Sequence, residues 1–294
     1  MFDYRALHDA VGAMQARRLF FIGGAVKSGT TWLQLLLNQH PDIACNGEGN
    51  FTNFLIPLLL QAMDDYNGRV AWKNEAVFAG LAPYPLLGEA DRAYLWISAM
   101  ALLLDRQAQA KPARVIGEKT PDNVRSLDLL HAAFPRAKFI QIVRDGRDAA
   151  VSNWFHNLRL GEEQTRRTFG TADAFFDIFA ERWAGDLEAG TRFGDAHPDR
   201  YLAIRYEDLS ADTAGTLVTL FRFLGVRSGK ALAARCRDGG SFERLSGGRA
   251  PGQEDRNSFF RQGRPGDWRN HLDRAAADRF AAKAGRWLAA FGYA

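Results

Sequence analysis

The sequence predicts an α/β fold in which a mostly parallel central sheet is flanked by helices. Three observations lead there. Short apolar runs of strand length alternate with longer segments of helical period, the pattern of strands joined by crossover helices. The first such run, Leu19 to Ile22, stops at Gly23-Gly24, and a turn rich in hydroxyls carries the chain into a helical stretch from Thr30 to Asn38. The 294 residues are 47% hydrophobic and 24% charged, enough to fill a large core and far from the composition of disorder. With no internal repeat and no Gly-, Ser- or Pro-rich linker, residues 1–294 read as a single domain.

Taken in order, the first strand and helix are followed by a short strand at Asp42 to Cys45, running into Asn46-Gly47-Glu48-Gly49. Residues 51–110 read as mainly helical and carry many apolar and aromatic side chains, among them Phe51, Phe54, Trp72, Tyr84, Tyr94 and Trp96. For most of Leu55, Leu58, Leu59 and Leu60 core packing is expected. Arg114 to Ile116 and Lys138 to Val143 read as further strands, followed by helices near Asn123 to Ala133 and from about Arg147. A long helix covers Ala174 to Arg192, Tyr201 to Ile204 is the last strand, and helices close the chain near Ala211 to Leu224 and Arg274 to Phe291. Arg159 to Arg167, charged and containing Gly161, is expected to form a mobile lid. In sheets of this kind ligands sit at the carboxyl ends of the strands, so the informative residues should follow them.

A net charge of +4 is too small and too scattered to indicate nucleic acid, but it suits a small polyanion. Cys45 and Cys236 form no C-x-x-C pair, so neither a disulfide framework nor a zinc site is expected, and a reducing compartment is the default. The apolar run after Arg17-Arg18 lacks the small-residue cleavage site of a signal peptide. The other apolar stretches fall short of the roughly 20 residues that span a bilayer. A soluble cytoplasmic protein is the expectation.

The loop Gly23-Gly24-Ala25-Val26-Lys27-Ser28-Gly29-Thr30-Thr31-Trp32 joins strand to helix. Glycines allow close approach of the backbone, amides at a helix start attract phosphate, and Lys27 adds a charge. The order differs from G-x-x-x-x-G-K-[ST], because Lys27 precedes Gly29, and no later strand ends in an evident magnesium-binding aspartate. By itself the loop fits either a phosphate site or an ordinary turn with a solvated lysine. Downstream, Arg144 at a strand end and Ser152 stand eight residues apart, so a guanidinium and a hydroxyl can face one pocket and grip a terminal phosphate. Asp145 and Asp148 read as helix-start acids and Arg147 as solvated.

Lys27-Ser28-Gly29-Thr30-Thr31-Trp32 resembles the 5'-phosphosulfate loop of sulfotransferases that use 3'-phosphoadenosine 5'-phosphosulfate (PAPS). Val143-Arg144-Asp145-Gly146-Arg147-Asp148-Ala149-Ala150-Val151-Ser152 is similar to that family's 3'-phosphate motif. Arg205-Tyr206-Glu207-Asp208-Leu209 resembles its Tyr-Glu-Asp-Leu segment, and Gly240-Ser241-Phe242-Glu243-Arg244-Leu245 its Thr-Ser-Phe-x-x-Met. Phe260 to Asn270 resembles its Arg-Lys-Gly-x-x-Gly-Asp-Trp-Lys-Asn signature, with Gln262 in place of a lysine and Trp268 as a packing residue.

The resemblance implies a P-loop-containing nucleoside triphosphate hydrolase-like (sulfotransferase) fold, bacterial-type with features of the cytosolic branch. It implies PAPS as donor, released as 3'-phosphoadenosine 5'-phosphate (PAP) after metal-independent in-line transfer of the sulfuryl group to a hydroxyl or amine. It assigns cofactor binding to Lys27, Ser28, Gly29, Thr30, Thr31 and Trp32 at one end. Arg144, Ser152, Arg261, Gln262 and Gly263 follow at the 3'-phosphate, and Tyr206, Ser241, Phe242 and Leu245 around the base.

Gly117-Glu118-Lys119-Thr120-Pro121 carries a proline where the small-molecule branch has its basic histidine. It looks more like the Glu-Lys-Thr-Pro of the glycan-modifying and bacterial branches, which makes Glu48 the expected general base and Lys119 a source of charge near the sulfate. His156 is the second candidate base, and Lys27 is expected to meet charge on the leaving phosphate. The helical region 51–110 is assigned to the acceptor side, with a small-molecule, lipid or glycan acceptor expected. The Thr-Val pair of the cytosolic branch's dimer motif is missing after Trp268, and a homodimer stays open. Two rivals remain, a magnesium-dependent P-loop kinase and a non-catalytic nucleotide binder.

Overall fold

The computed structural model describes residues 3–294. Five strands, β1 (Arg18–Gly23), β2 (Ile43–Cys45), β3 (Val115–Lys119), β4 (Lys138–Val143) and β5 (Tyr201–Arg205), form one sheet in the order β2-β3-β1-β4-β5. Every pairing is parallel. The expected fold class is the observed one. The chain leaves β1 toward one edge, returns through β3, and crosses to β4 on the other side. The strand order therefore reverses at β1, and the crevice beyond its carboxyl end is the place such sheets offer to a ligand.

Helices cover both faces, since parallel strands need crossovers and bury both of their surfaces. Leu19 and Phe21 of β1 face one core with Met14 of α1 (Tyr4–Ala16), Met100 and Leu104 of α4 (Glu89–Ala110) and Leu130 of α5 (Leu127–Ala133). Phe20 and Ile22 face the opposite core. There they meet α2 (Thr30–Asn38), α9 (Thr213–Leu224) and α10 (Lys230–Gly239). Leu33, Leu36 and Leu37 of α2 are fully buried, each contributing about 1.5–3 kcal/mol. A third core joins α6 (Gly146–Phe169), α7 (Ala172–Ala196) and α12 (Arg274–Ala290) through Trp154, Phe175, Trp183 and Phe280. Two short helices, α8 (Tyr206–Ala211) and α11 (Phe242–Leu245), follow β5 and α10.

The structure adds detail to several expectations. The stretch expected as a mobile lid is helical: α6 runs through it to Phe169, interrupted only by one extended residue at Gly161, and Thr165 Oγ1 donates back to the Gly161 carbonyl at 2.8 Å. In the helical region, built on α3 (Ile56–Ala76) and α4, Phe51 and Trp96 are buried, but Phe54, Trp72, Tyr84 in the connecting loop, and Tyr94 are exposed. Leu55, Leu59 and Leu60 do pack against the core, whereas Leu58 is 69% exposed, because it projects from the opposite side of the helix. Helices α1 and α10 had no counterpart in the sequence reading. Among the described residues no helix is long and apolar enough to cross a membrane.

Candidate active site

A cavity opens at the carboxyl ends of β1 and β4. Its floor is the β1–α2 turn, where Lys27 has φ 67° and Gly29 φ 99°. A left-handed lysine is uncommon and costs backbone energy, so its neighbours must hold it there. At Gly29 a side chain is impossible as well as strained: a Cβ would lie 2.7 Å from the Tyr206 ring. The turn thus brings the first amides of α2, which have no partners within the helix, to the cavity floor beside Lys27. Thr30, Thr31 and Trp32 line the cavity with them, and the Trp32 indole donates to the Gly240 carbonyl at 2.9 Å.

Positive charge gathers here: Lys27, Arg144 and Arg261 line one cavity. Arg144 has Asp148 at 3.8 Å, but Lys27 has no carboxylate within salt-bridge distance among the described residues. Lys27 is pushed down to about 8, first by burial and then by Arg144, Arg159, Lys119 and Arg261. Its ammonium stands over the Phe259 ring. Arg144 leaves β4, donates to the Lys27 carbonyl at 3.3 Å and stacks 4.6 Å from the Tyr206 ring. Its Nε, like Nε of Arg261 and the hydroxyl of Ser28, is buried with no hydrogen-bond partner. Unpaired buried donors are costly, and an anion bound against the two guanidinium groups, which line the cavity, would offset that cost. Ser152 lines the same cavity one helical face along from Arg144.

The far wall comes from residues 242–263. Phe242, Arg261, Gln262 and Gly263 face the cavity. Gly263 has φ 64°, and a Cβ there would sit 2.3 Å from the Phe242 ring. Arg261 is held between Glu254 (2.6 Å) and Asp267 (2.5 Å). Gln262, its amide turned to suit its neighbours, donates to Asp267 at 2.7 Å.

Glu48 reaches the same cavity from the loop after β2. Lys119 Nζ, almost fully buried at the end of β3, donates to Glu48 Oε1 at 2.5 Å and to Thr31 Oγ1 at 3.0 Å. One carboxylate oxygen is therefore engaged, and the other can accept a proton from a nearby hydroxyl. His156 lines the cavity from α6, packed edge-on against Phe259. Burial, then Lys27 and Arg159, push it down to about 4. Arg159 Nη2 lies 3.1 Å from His156 Nδ1. A guanidinium only donates, so Nδ1 is the acceptor and the ring proton is assigned to Nε2. Such a ring is a hydrogen-bond donor at neutral pH and a poor proton acceptor.

Of the residues singled out in the sequence, the cavity gathers Lys27, Gly29, Thr30, Thr31, Trp32, Glu48, Arg144, Ser152, His156, Tyr206, Phe242, Arg261, Gln262 and Gly263. Lys119 and Ser28 stand one layer behind. Ser241 and Leu245 lie outside the lining; the Ser241 hydroxyl instead caps α11 by accepting from the Arg244 amide at 3.3 Å.

Arg147 is not solvated as expected. It pairs with Asp145 at 2.8 Å and stacks 4.0 Å from the Trp268 ring. Asp148 does more than favour the helix start: buried, it accepts from the amides of Gly266 (2.6 Å) and Trp268 (2.8 Å), docking the 263–270 loop on α6. Asn153, Phe259, Arg159 and Glu254 were missed. Asn153 adjoins Ser152 in sequence and could have been inferred; nothing in the sequence signals where the other three fold.

The sulfotransferase family model matches residues 20–228. Protein-tyrosine sulfotransferase 1 of Danio rerio is 28% identical over 213 residues, covering 71% of this chain and 53% of that protein. Protein-tyrosine sulfotransferase 2 of Gallus gallus is 31% identical over 209 residues, covering 71% and 51%. The chain spans about half the length of these curated relatives. Among solved structures, a Mycobacterium avium sulfotransferase aligns with TM-score 0.58 at 14% identity over 98% of this chain and 80% of that one. A mouse sulfotransferase complexed with PAP aligns with TM-score 0.55 at 19% identity over 97% and 94%. These two show the shared fold.

The relatives also correct the acceptor expected from residues 51–110. They are named for a tyrosine in a protein, not for a small molecule, lipid or glycan. An apolar helical region does not discriminate among these classes, since its side chains serve packing and contact alike. With a family match over most of its length and a parallel sheet that gathers the family's motifs around one cavity, the chain belongs to the sulfotransferase family.

Proposed function

We propose that the chain transfers the sulfuryl group of PAPS to the phenolic hydroxyl of a tyrosyl residue in a protein acceptor. The observation that carries the reading is that Lys27, Arg144 and Arg261 line one cavity together with Glu48, whose carboxylate is held by Lys119. The residues fit a doubly phosphorylated adenosine. Lys27 and the α2 amides suit the 5' end, Arg144, Ser152 and Arg261 the 3'-phosphate, and Trp32, Tyr206 and Phe242 the base. The orphaned donors of Arg144 and Arg261, both in the cavity lining, support this fit. The tyrosyl acceptor rests on the names of the curated relatives.

PAPS, when bound, supplies an activated sulfuryl group and a phosphate leaving group. Lys27 holds positive charge where the leaving oxygen becomes negative, which lowers the barrier more than it favours the ground state. Glu48 takes the phenolic proton on its free oxygen, while Lys119 keeps the other oxygen in place. His156 donates from Nε2 toward the transferred group. A cytoplasmic setting belongs to the same proposal, supported by two buried cysteines that remain unpaired.

The test is calorimetry with PAP, ADP and ATP, with and without magnesium, together with turnover of labelled PAPS on a tyrosine-bearing peptide in the presence of EDTA. Tight binding of PAP alone and label on the tyrosine are expected. Preference for ATP with magnesium would point to a kinase, and PAP binding without transfer to a non-catalytic binder.

A further inference from the structure

The loop that presents Glu48 has no regular secondary structure and depends for its hydrogen bonds on side chains from elsewhere. The Asn46 amide donates to Gln107 Oε1 of α4 at 2.8 Å. The Gly49 amide donates to Glu118 Oε1 at 2.8 Å, and the Asn50 amide to Thr120 Oγ1 at 3.1 Å. Glu118 and Thr120, two residues apart at the end of β3, share one side of the chain; Lys119 between them points to the other. Three successive side chains thus address one loop, two by its backbone and one by the carboxylate of Glu48.

Glu118 is the hub. Only 3% exposed, it accepts from the Thr120 hydroxyl at 2.6 Å and the Asn123 amide at 2.7 Å as well as from Gly49. Burial pushes its carboxyl up, and these donors oppose the rise. Among the described residues no cation pairs with it within salt-bridge distance. A carboxylate at this depth is costly unless its hydrogen bonds offset the loss of water. The bonds it makes lead to the Glu48 loop and to the turn after β3.

We infer that Glu118 is a positioning residue, whose grip on the Gly49 amide, reinforced by Thr120, fixes the place of Glu48 relative to the α2 amides and Lys27. This rests on the reading of Glu48 as base. Lys119 alone cannot do it, because an ion pair through flexible side chains sets a distance and not the path of the loop.

The experiment uses the full chain and compares Glu118→Leu, Glu118→Gln, Thr120→Val and Glu48→Gln. Hydrogen exchange reads the Gly49 and Asn50 amides, calorimetry reads PAP affinity, and steady-state turnover reads a tyrosine-bearing peptide. In Glu118→Leu the Gly49 and Asn50 amides should exchange faster and kcat should fall about 10- to 100-fold, the scale of a small misplacement of a reacting group. PAP affinity should stay within about twofold, since the positioned loop faces the acceptor. Glu118→Gln, whose Oε1 can still accept from Gly49 and Thr120 while its Nε2 meets the Asn123 donor, should recover part of both losses. Thr120→Val should move in the same direction as Glu118→Leu and decides the matter if that variant does not fold. Unchanged exchange with unchanged kcat overturns the inference, as does a parallel loss of PAP affinity. Full activity in Glu48→Gln removes the base reading instead, whatever the exchange data give.

Discussion

The ammonium of Lys27 stands 4.4 Å from the centroid of the Phe259 ring, so the residue that begins the cavity floor is covered by one from a segment more than two hundred positions later. The face of an aromatic ring stabilises a cation without neutralising it. Lys27 therefore remains a charge in search of an anion, and burial with the surrounding guanidinium groups lowers it to about 8.

PAP affinity should fall as pH rises through about 8. A bound phosphate favours the protonated amine, and the free protein gives up that proton above this pH. Well above it, affinity should weaken by roughly tenfold per pH unit. Calorimetry from pH 6.5 to about 9.5 checks this, and proton uptake on binding should appear on the alkaline side. Lys27→Met should bind weakly with a flat profile over the same range.

Glu48→Gln should lower turnover by about 100- to 10,000-fold, the range general bases supply. The amide keeps the bond to Lys119 through its oxygen and cannot take a proton. PAP affinity should stay within about twofold. Turnover near that of the parent protein would refute the role.

Arg144→Ala should reduce the preference for PAP over AMP, with Ser152 and Arg261 left to hold the 3'-phosphate. A hydrogen bond to a charged group is worth about 1.5–3 kcal/mol, so PAP binding should weaken roughly 10- to 100-fold. AMP, lacking the 3'-phosphate, should bind much as before. Equal loss for both ligands would place Arg144 elsewhere than at the 3'-phosphate.

Glu254→Gln should bind PAP several-fold more tightly. The Glu254 carboxylate holds Arg261 at 2.6 Å and is itself only partly buried, so it competes with an incoming phosphate for the same guanidinium. The gain should shrink as salt is added. Calorimetry at two ionic strengths reads both effects, and unchanged affinity at low salt would show that Asp267 alone governs Arg261.

Much of this molecule was legible before any coordinates. Helix α2 begins and ends at Thr30 and Asn38 as its apolar spacing dictates, and β4 matches its apolar run from Lys138 to Val143. Parallel strands buried on both faces write themselves as continuous hydrophobic runs. Residues that bind at strand ends lie beside those runs, so Lys27, Glu48 and Arg144 could be found by position. Arg147 was misread because exposure depends on what packs against a side chain, and its partner Trp268 lies far along the chain.

The sequence by itself determined the alternation of strands and helices, the phosphate-type turn and the residues flanking it, because these follow from local periodicity and from chemistry carried within a few positions. Only the tertiary structure decided that Lys119 meets Glu48 across 71 residues, that Arg159 sets the proton of His156, and that Glu118 holds the loop between them. Such contacts are set by the close-packed geometry of the whole sheet and its covering helices, which no local window of sequence contains.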